Sequence, residues 1–142
     1  MHHVAIMNPR WKLIPKILSG EKTIESRWYQ TRRAPWGRVQ KGDVIFFKDS
    51  GKRVSARANV SRVLYIELSA LSDVKRVIRT YGRQLCLIET NPRTWGKTPR
   101  YCVLMWLSRP HVITQPFTIN KKGFGAGSAW ITVQNINTLQ KS

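Results

Sequence analysis

Within the stretch SGEKTIESRW (Ser19–Trp28), a lysine, a carboxylate and an arginine stand close together as Lys22, Glu25 and Arg27, with the hydroxyl of Thr23 among them. As an extended strand from about Lys22 to Trp28, Lys22 and Ile24 would share one face and Thr23, Glu25 and Arg27 the other. An unpaired buried charge is costly, so Glu25 either pairs with a base and fixes local structure or orients a cation. In the second role it can also accept the exocyclic amine of a nucleobase. Lys22 has three open roles: a solvated lysine, a phosphate contact, or a catalytic base with a lowered pKa. Hydrolysis here would draw on Lys22, on Glu25 and on a hydroxyl of Thr23 or Tyr29. Cleavage of a phosphodiester could use the RNA's own 2′-hydroxyl, with Lys22 stabilising charge on the phosphate.

The composition points to a polyanionic partner. Of 142 residues, 25 are Lys or Arg and only 7 are Asp or Glu, a net charge of +18. Seven acids cannot neutralise 25 bases, so a large positive field remains and favours nucleic acid. A membrane partner is not expected, because neither an amphipathic basic helix nor a lipidation signal is present. The longest apolar run, YCVLMWL (Tyr101–Leu107), is too short to span a bilayer, and MHHVAIM has no signal-peptide pattern. Cys86 and Cys102 form no disulfide framework, and no Cys or His spacing suits a metal. The expectation is a cytoplasmic protein with reduced thiols, no metal and no cofactor.

Cations and aromatic rings alternate in two loops. Residues 26–42 carry Arg27, Arg32, Arg33, Arg38 and Lys41 with Trp28, Tyr29 and Trp36, and no acid. Arg93, Lys97 and Arg100 surround Trp95, and Lys121 and Lys122 form a smaller patch. Arginine grips phosphate and stacks on bases, as aromatic rings do, which is the mixture single-stranded RNA requires. Trp36, beside Pro35 and Gly37, and Trp95 are the stacking candidates; Trp28 can equally plug the end of the fold. Arg57 and Arg62 extend the polar side of a long strand. Trp11, Trp106 and Trp130 are expected in the core.

The elements that must position these residues are mostly strands. His2–Met7, the segment around Lys22–Trp28, Val44–Asp49, Val54–Glu67, Tyr101–Arg109 and a last strand in AWITVQNI all read as extended. Two helices are expected. The first opens at Asn8-Pro9 and ends at Gly20, with Pro15 demanding either a kink or a later regular start. The second is capped at Ser72 or Asp73, buries Val74, Val77 and Ile78, and closes at Gly82. RQLCLIE is ambiguous between helix and strand, Thr90–Arg100 is a loop, and a break is expected at Pro110. Nothing divides residues 1–142, so one domain is expected.

The order helix, Gly-x-Lys-Thr-x-Glu-x-Arg, then Gly42-Asp43 opening VIFF, resembles an ASCH domain. The likeness is clearest over residues 8–63 and echoes again in GFGAGSAWITV. It implies an α+β fold: a PUA-like β-barrel flanked by two helices, with a cleft beside one of them. Some members of that family resemble ribonucleases acting on single-stranded RNA, and one branch removes the acetyl group of N4-acetylcytidine. The branch's lysine falls at Lys22, but where it has a threonine three residues later this chain has Glu25. The resulting expectation is an RNA-binding module, RNA being preferred to DNA. Lys22, Arg27, Tyr29, Arg32, Arg33, Trp36, Arg57, Arg93, Trp95, Lys97, Arg100, Lys121 and Lys122 would be its contact residues. A hydrolase using Lys22, Thr23 and Glu25 is the alternative, and single-stranded DNA a further one.

Overall fold

The computed structural model describes residues 1–125 and 127–141; Ala126, in the glycine-spaced turn, and Ser142 lie outside the described residues. Its strands are β1 (His2–Met7), β2 (Ile24–Tyr29), β3 (Val44–Asp49), β4 (Val54–Glu67), β5 (Tyr101–Phe117) and β6 (Trp130–Val133). They join in one sheet of order β2-β5-β4-β3-β1-β6. β1 runs parallel to β3, and every other pairing is antiparallel. The sheet curls into a half-barrel flanked by two α-helices, α1 (Leu13–Ser19) and α2 (Leu71–Leu85).

Burial on both faces explains the uninterrupted apolar strands. In β5, Val103 and Met105 face the core under α1, whereas Cys102 and Leu104 face α2. In β3, Ile45 and Phe47 join the α1 core while Phe46 packs on the opposite face with Ile131, Ile136 and Leu139. β4 alternates as its sequence requires, with Ala56, Ala58 and Val60 inside and Ser55, Arg57 and Asn59 only half-buried. The strand expected to break at Pro110 instead continues to Phe117. Asn59 pairs with Ser108 and Arg57 with His111, so β5 has one residue more than β4 across that step. This bulge places Arg109 at φ 50° and gives Pro110 a position where no ladder donor is needed. Further register shifts in β4–β5 at Val54/Ala56 and Val60/Arg62 add to the curl.

The first helix starts late, as Pro15 allowed. Asn8 caps only a 3-10 turn, Pro9–Trp11; Lys12 then takes left-handed geometry at φ 52°, and α1 begins at Leu13. Pro15 thus falls in the first turn, where no intrahelical donor is lost. The turn before Lys12 rotates Trp11 outwards, so the expected core residue is 46% exposed. Gly20 closes α1 at φ 83°, donating to the Ile17 carbonyl. The second helix outruns its expected end. Gly82 lies inside α2, and Cys86 forms the left-handed cap at φ 52°. The start of RQLCLIE is therefore helical. Trp130 is buried as expected; Trp106 is half-buried, with Arg62 stacked on its ring and Tyr81 at its edge.

His3, fully buried in β1, ties three segments together. Its Nε2 meets Asp43 Oδ2 at 2.8 Å, and its Nδ1 accepts from Trp130 Nε1 at 3.3 Å and lies 3.0 Å from Thr132 Oγ1. Because the indole can only donate, Nδ1 is unprotonated and Nε2 carries the proton. Burial lowers the His3 pKa against the opposing pull of Asp43, which fits that neutral tautomer.

Candidate functional site

The Gly-x-Lys-Thr segment is a junction between α1, β2 and α2. Lys22 N–H donates to Lys16 O at 2.9 Å and Thr23 N–H to Gln84 O at 3.1 Å. The Lys22 ammonium donates to Ile24 O at 2.9 Å and to Leu85 O. Gln84 and Leu85 are the last residues of α2, whose carbonyls have no partner within the helix. A cation at that end also complements the helix dipole. β2 begins only at Ile24, so the strand-face expectation for Lys22 does not hold; its side chain bends round to Glu25.

Glu25 is the hub of a buried charge cluster. Its Oε1 accepts from Ser26 N–H at 2.9 Å and lies 3.4 Å from Lys22 Nζ, and Oε2 lies 3.6 Å from Arg27 Nη2. Oε2 is buried with no hydrogen-bond partner among the described residues. Burial alone would raise its pKa, but Lys22, Arg27 and the Ser26 N–H outweigh that and hold the carboxyl below its ordinary range. Arg27 reaches beyond Glu25. Its guanidinium donates to Ala129 O at 3.3 Å and to Ile6 O at 3.4 Å, and stacks 5.2 Å from the Trp130 ring. It therefore spans from one edge of the sheet to the other.

Above this cluster opens a cleft of about 510 Å³. Its walls are largely apolar: Trp11 and Leu13 on one side, Trp28 and Trp95 in edge-to-face contact at 5.0 Å on another, and Leu85 at the end of α2 with Cys86 and Ile88 beyond it. Such an aromatic pair contributes roughly 0.5–1.5 kcal/mol beyond its buried area, which firms that wall. Lys22, Glu25, Arg27 and Tyr29 also line the cleft.

The other residues singled out in the sequence lie elsewhere. Thr23 is not among the lining residues. Arg33 stacks on Tyr29 at 5.0 Å, at the rim. Arg32 pairs with Glu67 at 2.9 Å and, with Arg100, borders a separate pocket. Trp36, expected to be exposed, is half-buried and wedged edge-on against Tyr65 and Tyr101, so its ring is already used. Arg57 lies over Phe46, on the sheet face opposite the α1 core. Arg93 and Lys97 are exposed beyond Trp95. Lys121 donates to Ser128 O, and Lys122 is exposed, neither at the cleft. Sequence reasoning missed Trp11 and the wall formed by residues 85–89. The first was hidden by an assumed helical phase; the second carries no motif.

Neither a family model nor a curated protein matches this sequence. Solved structures do. The chain superposes on an ASCH protein of Zymomonas mobilis with TM-score 0.63 and 20% identity, covering 99% of this chain and 96% of that one. Two point mutants of that protein give TM-scores of 0.67 and 0.68 at 20% and 22% identity. They cover 99% and 96% of this chain, and 99% and 91% of their own.

The fold is that of an ASCH domain.

The PUA-like α+β architecture implied by the Gly-x-Lys-Thr-x-Glu-x-Arg pattern is thereby found over nearly the whole length, including residues 64–100, which lie outside the stretches that carry the resemblance. In this ASCH fold the pattern is the junction that anchors α2 and floors the cleft.

Proposed function

We propose that this protein binds single-stranded RNA and takes one unpaired base into the cleft. One observation carries the reading: a carboxylate oxygen that accepts no hydrogen bond among the described residues, Glu25 Oε2, lies beneath a tryptophan-walled cleft in a chain of net charge +18. Oε2 is covered in the free protein, so a small shift of the cleft floor would admit an amine or N–H of a base edge to it, and the rings of Trp11, Trp28 and Trp95 would cover the base. Lys22 acts through Glu25 by keeping it charged, since its ammonium is already shared between two carbonyls and that carboxylate. Phosphates would meet Arg27, Arg33, Arg93 and Lys97 around the mouth, with Arg32 and Arg100 further out.

Hydrolysis in the same cleft, of an RNA strand or of a modified nucleoside, is the second reading, motivated by the 3.4 Å separation of Lys22 and Glu25. It is the weaker one. A carboxyl held below its ordinary pKa is a poor proton acceptor near neutral pH. The test is a gel of labelled single-stranded RNA, and of the matching DNA, with wild type and Glu25→Gln, run native and denaturing. RNA retarded intact, more strongly than DNA and less by Glu25→Gln, is the expected result. RNA fragments on the denaturing gel that disappear with Lys22→Ala, in a preparation shown by circular dichroism to be folded, would replace binding by catalysis, and no retardation would end the reading.

A further inference from the structure

Helix α2 carries a row of cations that none of the cleft chemistry uses. Lys75, Arg79 and Arg83 follow at four-residue intervals, with Arg76 alongside, and all four are exposed. At 1.5 Å per residue, successive members of the row stand about 6 Å apart along the helix axis. That step is comparable to the distance between neighbouring phosphates of an extended strand. Among the described residues, no acid forms an ion pair with any of them. The helix's own acid, Asp73, is engaged at its start by the N–H groups of Ser69 and Ala70. A shallow pocket of about 350 Å³, lined by Lys75, Ile78, Arg79 and Asn91, runs beside the row.

We propose that this row is a second nucleic-acid contact, gripping the sugar–phosphate backbone of the strand whose base occupies the cleft. The proposal rests on the RNA-binding reading of the cleft and extends it along the molecule. Position supports it: the row ends at Arg83, whose carbonyl accepts from Cys86 Sγ at 3.6 Å, and Cys86 stands in the cleft wall. A backbone leaving the cleft over that wall meets Arg83 first, then Arg79, then Lys75. The Tyr81–Trp106 pair, with Arg62 stacked at 4.4 Å, adds aromatic surface beside the same helix. An anionic bilayer fits less well. Val74, Val77 and Leu85, the apolar side of α2, are buried beneath it, and a membrane-surface helix needs that side free.

The test compares wild type with the triple variant Lys75→Gln/Arg79→Gln/Arg83→Gln. A control, Lys52→Gln/Arg53→Gln/Lys141→Gln, removes the same charge from exposed positions away from the cleft. Affinities for a single-stranded RNA of about 16 nucleotides, and for a trinucleotide, are measured across a salt series. Three lost phosphate contacts should flatten the log–log salt slope by about 2 and weaken the longer RNA on the order of tenfold to fiftyfold near physiological salt. The trinucleotide should bind the variant as it binds wild type, and the control should keep most of the wild-type slope. An unchanged slope in the variant, or an equal loss in the control, would overturn the row while leaving the cleft reading intact. Wild type binding neither RNA would overturn both. Row-dependent sedimentation with phosphatidylserine vesicles in that case would assign the helix to a membrane instead.

Discussion

Glu25 reaches its buried position with two cations already beside it, and that arrangement sets what each can do. Removing Lys22 would leave a buried carboxylate with Arg27 as its only charged partner and take the ammonium from two carbonyls, one of them at the end of α2. Lys22→Ala is therefore expected to destabilise the fold by about 3–5 kcal/mol, read as a lower urea midpoint. A loss within experimental error would show the pair to be dispensable. The pH dependence has a definite sign. Because the folded pKa of Glu25 is depressed, its stabilisation is complete above the ordinary carboxylate value of about 4.3. It is lost as pH falls through the lower folded value. The stability gap between wild type and Glu25→Gln should be flat near neutrality and narrow on acidification; a gap that widens would mean the carboxyl is protonated in the fold.

At the scale of elements, two left-handed positions bracket α1, and they are occupied oppositely. Gly20 suits its φ of 83°, whereas Lys12 holds φ 52° with a side chain that is exposed. Lys12→Gly should raise stability by about 0.5–1 kcal/mol, and Gly20→Ala should lower it by about 1 kcal/mol. Thermal midpoints moving the same way in both variants would refute the account. The same turn shows where the sequence was legible and where it was not. Short apolar segments located β1 and β3, and alternation located β4, each with its ends, because these strand signals are short and local. Gly82 and Pro110 misled, since each normally punctuates an element and here packing overrides it: α2 continues to Leu85 against β2 and β5, and a bulge absorbs the proline. The polar floor of the cleft could be named from SGEKTIESRW. Of its walls Trp95 could be named as a stacking candidate, but Trp11 and Leu85 could not, because the three are brought together by separate segments.

For the whole molecule, the telling quantity is how little of the positive charge is internally neutralised. Glu25 is enclosed by its own partners and Asp43 by His3 and the Met1 amine, while Glu67 pairs with Arg32 at the surface. Most of the cations therefore face outward with only counterions to displace. If about four phosphates engage at the cleft mouth, log K should fall with log salt at a slope near −3. With three more along α2, the slope should steepen to about −5. A slope near zero, measured by tryptophan quenching on RNA titration, would remove charge from the account. Among the described residues no helix is long and apolar enough to cross a membrane.

Arg27 has one further consequence, concerning the order in which the molecule opens. Standing on β2, it holds carbonyls at the end of β1 and just before β6, so a single side chain latches the two free margins of the sheet. The latch also lines the cleft, and an incoming phosphate would compete with those carbonyls for it. Occupancy of the cleft and looseness at the far margin thus become linked. Amide exchange at Ile131 and Thr132 should quicken in Arg27→Met and, to a lesser degree, when RNA is bound, while amides in β5 stay protected. Unchanged exchange along β6 in both cases would mean that the margin is held shut by β1 alone.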